Sequence, residues 1–281
     1  MKDNLAVLFS GGRTSAYMSK WIKDNWMEKY HVKFVYCNTG QEHPSTLDFV
    51  NKCDDEFGLN LTWIEADIRT KGIGTNYKEV FYEIASLDGK PFEDMIKKFG
   101  LPNKDFPHCT RELKIEPFKK WAKDVFNGES YVMALGIRVD EPKRLKQSKT
   151  DAPKVYPLAV DHPMTKEMIL VWWKHQNFDL QIPEHLGNCT WCWKKSDRKL
   201  YTLAKEYPEI FEFPKMLDSK YAVTSNFERK DKRQMFRRYR TTIDILNEST
   251  SQAFVPFYDP NYIGVFEDEC AEECGSFHKG D

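Results

Sequence analysis

The stretch LAVLFSGGRTSAYMSK, residues 5–20, limits the possible folds more than any other. Five apolar residues, 5–9, read as a short buried strand and stop at Ser10-Gly11-Gly12. Residues 14–27 then place Ala16, Tyr17, Met18, Trp21, Ile22 and Trp26 at helical spacing. A strand that turns through two glycines into a helix collects backbone N–H groups and the positive end of a helix dipole at one point. Ser10, Thr14 and Ser15 add hydroxyl donors there, and Arg13 adds a permanent cation. This is the layout of an anion site. It lacks the lysine of GxxxxGK[ST] and the spacing of GxGxxG. The plain alternative is an ordinary strand–turn–helix junction.

The pattern repeats. Residues 32–36 are a second apolar run, 44–57 are helical with Pro44 in the first turn, and 61–66 are a third strand. Residues 67–110 are less regular, with amphipathic stretches between loops. Residues 112–126 read as a helix despite Pro117, 131–137 as a strand, 155–158 as a short strand, and 165–175 as a helix capped by Thr165. A helix is expected within 189–207, and a strongly basic one over 227–246. Strand–helix alternation implies an α/β fold: an open, mostly parallel sheet with helices on both faces, Rossmann-like, plus a C-terminal helical extension. Ligands bind such sheets beyond the carboxyl ends of the strands. Residues 1–180 read as the nucleotide-binding α/β domain and 181–281 as the extension.

A length of 281 residues, 41% apolar and 30% charged, gives room for a sizeable core. A net charge of −1 announces no polyanionic or membrane partner for the molecule as a whole. The first apolar run is too short for a signal peptide, and no run approaches a membrane span. Cytoplasmic localisation is expected, and oligomeric state is left open. Seven cysteines, an odd number, favour thiol, metal or redox chemistry over a disulfide framework.

The loop Ser10-Gly11-Gly12-Arg13-Thr14-Ser15 resembles the SGGxxS loop of the PP-loop family of adenine-nucleotide alpha-hydrolases. That family includes ATP pyrophosphatases, sulfurtransferases acting on tRNA or DNA, and sulfonucleotide reductases. Three further segments resemble the phosphoadenylylsulfate (PAPS/APS) reductase branch. Cys37-Asn38-Thr39-Gly40, followed by Glu42, is similar to its turn near the adenosine. Gly136-Ile137-Arg138, with Glu141 and Arg144 beyond, is similar to its oxyanion-binding segment, and an arginine fork suits that task. His108-Cys109-Thr110-Arg111-Glu112-Leu113-Lys114 is similar to its "CC…LK" segment. Cys189-Thr190-Trp191-Cys192 follows Cys109 by 80 residues (189 − 109), as a CxxC does in that branch.

The resemblance implies that Ser10–Ser15, Thr39, Gly40, Glu42, Lys114, Gly136, Arg138 and Arg144 meet ATP or PAPS/APS, with magnesium as a companion of ATP. It implies that Cys109, Cys189 and Cys192 hold a [4Fe–4S] cluster. The family's first cysteine is His108 here, so the fourth ligand is His108, Cys270, Cys274 or a non-protein group. Zinc suits the same donors, and a bare CxxC also suits a redox pair. Glu273-Cys274-Gly275-Ser276-Phe277-His278 resembles the reductases' "ECG-x-H" tail with one extra residue, which offers Cys274 as the nucleophile. The acidic neighbours of Cys274 work against a thiolate until a cation arrives.

Residues 228–240, ERKDKRQMFRRYR, form the densest charge cluster. It suits a nucleic-acid backbone or a phosphosulfate nucleotide, and it also suits a solvated helix face. Three functions follow. One is reduction of an adenylylsulfate-type sulfonucleotide to sulfite, with a thioredoxin-like partner. The second is adenylation of a tRNA, DNA or small-molecule target by ATP. The third is nucleotide binding without catalysis. An intact SGGRTS beside reductase motifs resembles the reductase-like PP-loop proteins carried by bacteriophages.

Overall fold

The computed structural model describes residues 2–68, 74–145, 152–222 and 233–257. Six strands form one sheet: β1 (Asp3–Phe9), β2 (Tyr30–Asn38), β3 (Thr62–Ile68), β4 (Thr75–Val80), β5 (Tyr131–Ala134) and β6 (Lys154–Val155). Their order is β4-β3-β2-β1-β5-β6. All neighbours are parallel except β3 and β4. β1 lies at the centre, with Phe9 opposite Tyr36 on β2 and Val7 opposite Ala134 on β5. Both faces of β1 are buried, so its residues alternate between two cores. Leu5, Val7 and Phe9 enter the larger cluster, and Ala6 and Leu8 enter the smaller one with Val35, Phe118 and Trp121.

Nine α-helices are described: α1 (Arg13–Asn25), α2 (Pro44–Phe57), α3 (Lys90–Phe99), the single-turn α4 (His108–Thr110), α5 (Glu116–Val125), α6 (Lys166–Lys174), α7 (Asp197–Glu206), α8 (Glu212–Tyr221) and α9 (Thr242–Ser251). α2 covers the expected residues, and α6 is capped by Thr165, whose hydroxyl accepts from Met168 N at 3.3 Å. Trp191, Leu200, Phe211, Leu217 and Ile245 belong to the same core as β1, so α7–α9 pack as part of that core. No helix among the described residues is long and apolar enough to cross a membrane.

Four expectations change. The irregular stretch 67–110 contains the antiparallel edge strand β4 and the helix α3. The expected helix over 112–126 begins as a π-turn, Arg111–Ile115, before α5. Pro117 has no N–H to give an α-helical partner, and a π-turn just before it accommodates that loss. The strand expected over 155–158 is Lys154–Val155, with a turn from Pro157 onward, while the helix expected within 189–207 is α7, capped by Ser196, which accepts from Lys199 N. The basic stretch is not helical where it is described. Arg237 and Arg238 have φ of +52° and +74°, incompatible with a right-handed helix, and α9 starts only at Thr242 behind a Thr241–Asp244 capping box.

Candidate functional site

The glycine loop leaves β1 at the carboxyl edge of the sheet. Gly11 has φ +83°, and a Cβ there would lie 2.8 Å from Thr46 Cγ2, so only glycine fits. Gly12 caps α1 without any side-chain hydrogen bond, and the first turn of α1 carries no acidic residue. The opening N–H groups of a thirteen-residue helix are therefore not capped by a side chain. Ser15 braces the loop from within. Its Oγ accepts from Ser10 N at 3.0 Å and from Ser10 Oγ at 2.9 Å, and donates to Gly12 O at 2.9 Å.

The loop after β5 closes the other side. A Cβ on Gly136 would stand 3.3 Å from Ser15 Cα, so glycine permits this approach. Arg138 reaches across to Thr14, its Nη1 donating to Oγ1 at 3.3 Å, while its Nε pairs with Asp140 at 2.9 Å. Arg144 sits further back, donating to Glu141 Oε1 at 2.6 Å. Arg13 points away from the loop. Its guanidinium grips Asp179 through two hydrogen bonds, at 2.6 and 2.9 Å, and donates to Leu180 O. Trp173 Nε1 donates to Arg13 O at 3.0 Å, tying the loop to α6. The guanidinium beside the loop's hydroxyls is thus that of Arg138.

Below the loop, Tyr36 Oη and Thr46 Oγ1 are buried without a hydrogen-bond partner, at 1% and 3% exposure. Burial, then the charges of Glu42 and Cys189, push the Tyr36 hydroxyl well above its ordinary pKa, so it stays protonated. Neither residue stands out in sequence, because Tyr36 reads as one more apolar strand position.

The turn after β2 links the loop to the cysteines. Glu42 is buried, and its carboxylate accepts from Thr39 N at 3.1 Å, Gln41 N at 3.2 Å and Thr39 Oγ1 at 2.8 Å. Glu42 also pairs with Cys189 as an isolated β-bridge. Thr39 Oγ1 lies 3.3 Å from Cys189 Sγ. Thr190 N donates to Gln41 O at 3.0 Å, and Trp191 Nε1 donates to Gln41 Oε1. Gly40, at φ +81°, accepts from Gly89 N at 3.0 Å.

Cys109, Cys189 and Cys192 line one small cavity of about 10 Å³, with Thr39, Lys114 and the rings of Phe92, Trp191 and Trp193. Its size is about that of one water. In donor chemistry, three buried thiols are the soft ligands that iron–sulfur clusters and zinc take. Among the described residues, no three His, Cys, Asp or Glu side chains are arranged to hold a single metal ion. His108 is not part of the cavity wall. Its ring packs on Phe99 and Phe106, with Arg233 Nη1 3.5 Å from its Nε2. Burial, then Arg111 and Arg233, lower its pKa to about 4. Cys270 and Cys274 lie outside the described residues. Cys37 faces the other core, where burial raises its pKa to about 12 and keeps it a thiol.

An open sheet with a glycine loop and a bare helix start at its carboxyl edge defines the α/β nucleotide-binding class. Within that class, the chain belongs to the phosphoadenosine phosphosulfate reductase domain family, whose model matches residues 4–158. It is 42% identical over 206 residues to the uncharacterized nin region protein ORF290 of Escherichia phage lambda, spanning 71% of this chain and 69% of that one. It is 30% identical over 115 residues to an uncharacterized protein of Methanocaldococcus jannaschii, spanning 41% of this chain and 22% of that much longer one. The solved structure of phosphoadenylyl-sulfate (PAPS) reductase from Candida auris, in a phosphate complex, covers 61% of this chain and 71% of its own, at TM-score 0.40 and 17% identity.

Proposed function

We propose that this chain binds an adenylylsulfate-type sulfonucleotide (APS or PAPS) and reduces it to sulfite. The observation that supports this most is the shared turn: Thr39–Glu42 follows the strand beside the glycine loop and touches Cys189 in the cysteine cavity. On this reading residues 1–180 grip the nucleotide and contribute Cys109, and residues 181–281 contribute Cys189, Cys192 and Cys274. Gly11, Gly12 and the first turn of α1 offer N–H donors to an oxyanion, Ser10 and Ser15 hold the loop in shape, and Arg138 adds charge-assisted hydrogen bonds. Arg13 acts as a tether of the loop.

In the reaction, the Cys274 thiolate attacks the sulfonate sulfur. The bond from that sulfur to the nucleotide's phosphate oxygen breaks, the nucleotide leaves with the electron pair, and Cys274 carries an S-sulfo group. A thioredoxin-like dithiol then attacks Cys274 Sγ, expels sulfite and closes to a disulfide, supplying two electrons. A cluster would be held by the thiolates of Cys109, Cys189 and Cys192, and would cross-link the segment around Cys109 to the CxxC turn. The cytoplasm, where thiols stay reduced, suits this chemistry.

A second reading is ATP-dependent adenylation, with magnesium, for sulfur transfer. The intact, braced loop favours it, because a pyrophosphate leaving group uses the whole cradle. One pair of assays separates the two. Anaerobically purified protein is given PAPS or APS with thioredoxin, and sulfite is measured; it is then given ATP alone, and pyrophosphate is measured. Sulfite release that Cys274→Ser abolishes is expected. Full release by Cys274→Ser would remove the nucleophile assignment, and pyrophosphate without sulfite would select the second reading.

A further inference from the structure

One part of the basic stretch is left unused by the nucleotide site. Phe236 and Arg240 exchange backbone hydrogen bonds at 3.1 and 2.9 Å, closing a tight turn over Arg237, Arg238 and Tyr239. Arg237 and Arg238 both sit in the left-handed region, at φ +52° and +74°. Asparagine or glycine would hold that backbone with less strain, and neither stands there. The strained turn displays Tyr239 at 70% exposure.

The turn leans on the loop before Cys109. Arg238 Nη2 pairs with Asp105 at 2.8 Å. In that loop Phe106 is 42% exposed, and the Arg233 guanidinium lies 4.0 Å from its ring centre. Lys104 and Arg111 are exposed on the same segment. Arg233 and His108 cover the faces of Phe106, so Tyr239 is the ring that this group of cations leaves exposed. Aromatic faces stack unpaired bases, while lysine and arginine track the phosphates between them.

We propose that Lys104, Arg111, Arg233, Arg238 and Tyr239 form a binding face for single-stranded nucleic acid. A duplex would engage the cations and leave Tyr239 without a base to stack. The face needs no adenine nucleotide, so its test is independent of the reaction proposed above.

The full chain, without nucleotide, is titrated against a fluorescein-labelled 20-nucleotide oligothymidylate and a duplex of equal length, with anisotropy as the readout. Tight, salt-sensitive binding of the single strand and weaker binding of the duplex are expected. Tyr239→Ala should weaken single-strand binding about five-fold or more with an unchanged salt dependence. Arg238→Gly should weaken it and lower the salt slope by roughly 0.7. Because glycine relieves the strain at that position, Arg238→Gly should melt no lower than the parent, which separates lost binding from lost fold. Three results would each overturn the proposal: no single-strand binding in 50 mM salt, equal binding of duplex and single strand, or full binding by both variants.

Discussion

Gly11 has to be glycine for two separate reasons, its φ of +83° and the 2.8 Å approach a Cβ would make to Thr46. Gly11→Ala is expected to lose about 1–3 kcal/mol of stability in urea unfolding, with the loop displaced. Tyr36 behaves in the opposite way. Its hydroxyl is buried without a partner, so Tyr36→Phe removes a desolvated donor and should unfold at the same or a higher urea concentration. A lower midpoint would mean that the hydroxyl has a partner in solution. The loop's own hydroxyls were legible in the sequence, because Ser10 and Ser15 are five residues apart and their bond is local. The tie between Arg13 and Asp179 was not, because 166 residues separate the partners and no local pattern pairs them.

At the scale of elements, the basic stretch shows where composition misleads. Helical spacing of arginines suggested one exposed face, yet Arg240 is almost fully buried, bridging Asp197 of α7 and Glu248 of α9 at 2.6 Å each. Arg240→Met removes the cation between the two carboxylates, leaving Asp197 to Arg237 and Glu248 to Tyr201, and is expected to cost about 1–3 kcal/mol in urea unfolding. Tyr201 joins the same network, donating to Glu248 at 2.7 Å. Burial, then that hydrogen bond, raises its pKa to about 12. A raised folded-state pKa gives stability that is complete below pH 10 and is lost as pH rises toward 12. Denaturation midpoints should therefore fall over that window, and Tyr201→Phe should flatten the fall. β1, β2, β3 and β5 were legible because each carries a short apolar run between turn residues, whereas β6 is only Lys154–Val155 and overlaps the expected strand at one residue. β4 was not, since an edge strand reading Thr-Asn-Tyr-Lys-Glu-Val has only two of its six residues buried and no apolar run.

At the scale of the molecule, one core spans β1, the cysteine segment and α7–α9, so the glycine loop and the thiols are carried on a single packed frame. The family resemblance grouped Cys109, Cys189 and Cys192, and the fold brings the three to the wall of one cavity. The stitching of that cavity to the turn after β2, through Gln41–Trp191 and Thr39–Cys189, depends on contacts 150 residues apart and needed the fold to be seen. The central claim is that the glycine loop holds an adenine nucleotide. Titration calorimetry of the full chain with adenylyl sulfate, PAPS and ATP tests it most directly. At least one of the three is predicted to bind, with Gly11→Ala and Arg138→Ala each weakening it about ten-fold or more. Heats of binding absent for all three nucleotides, or an affinity unchanged in both variants, would contradict it.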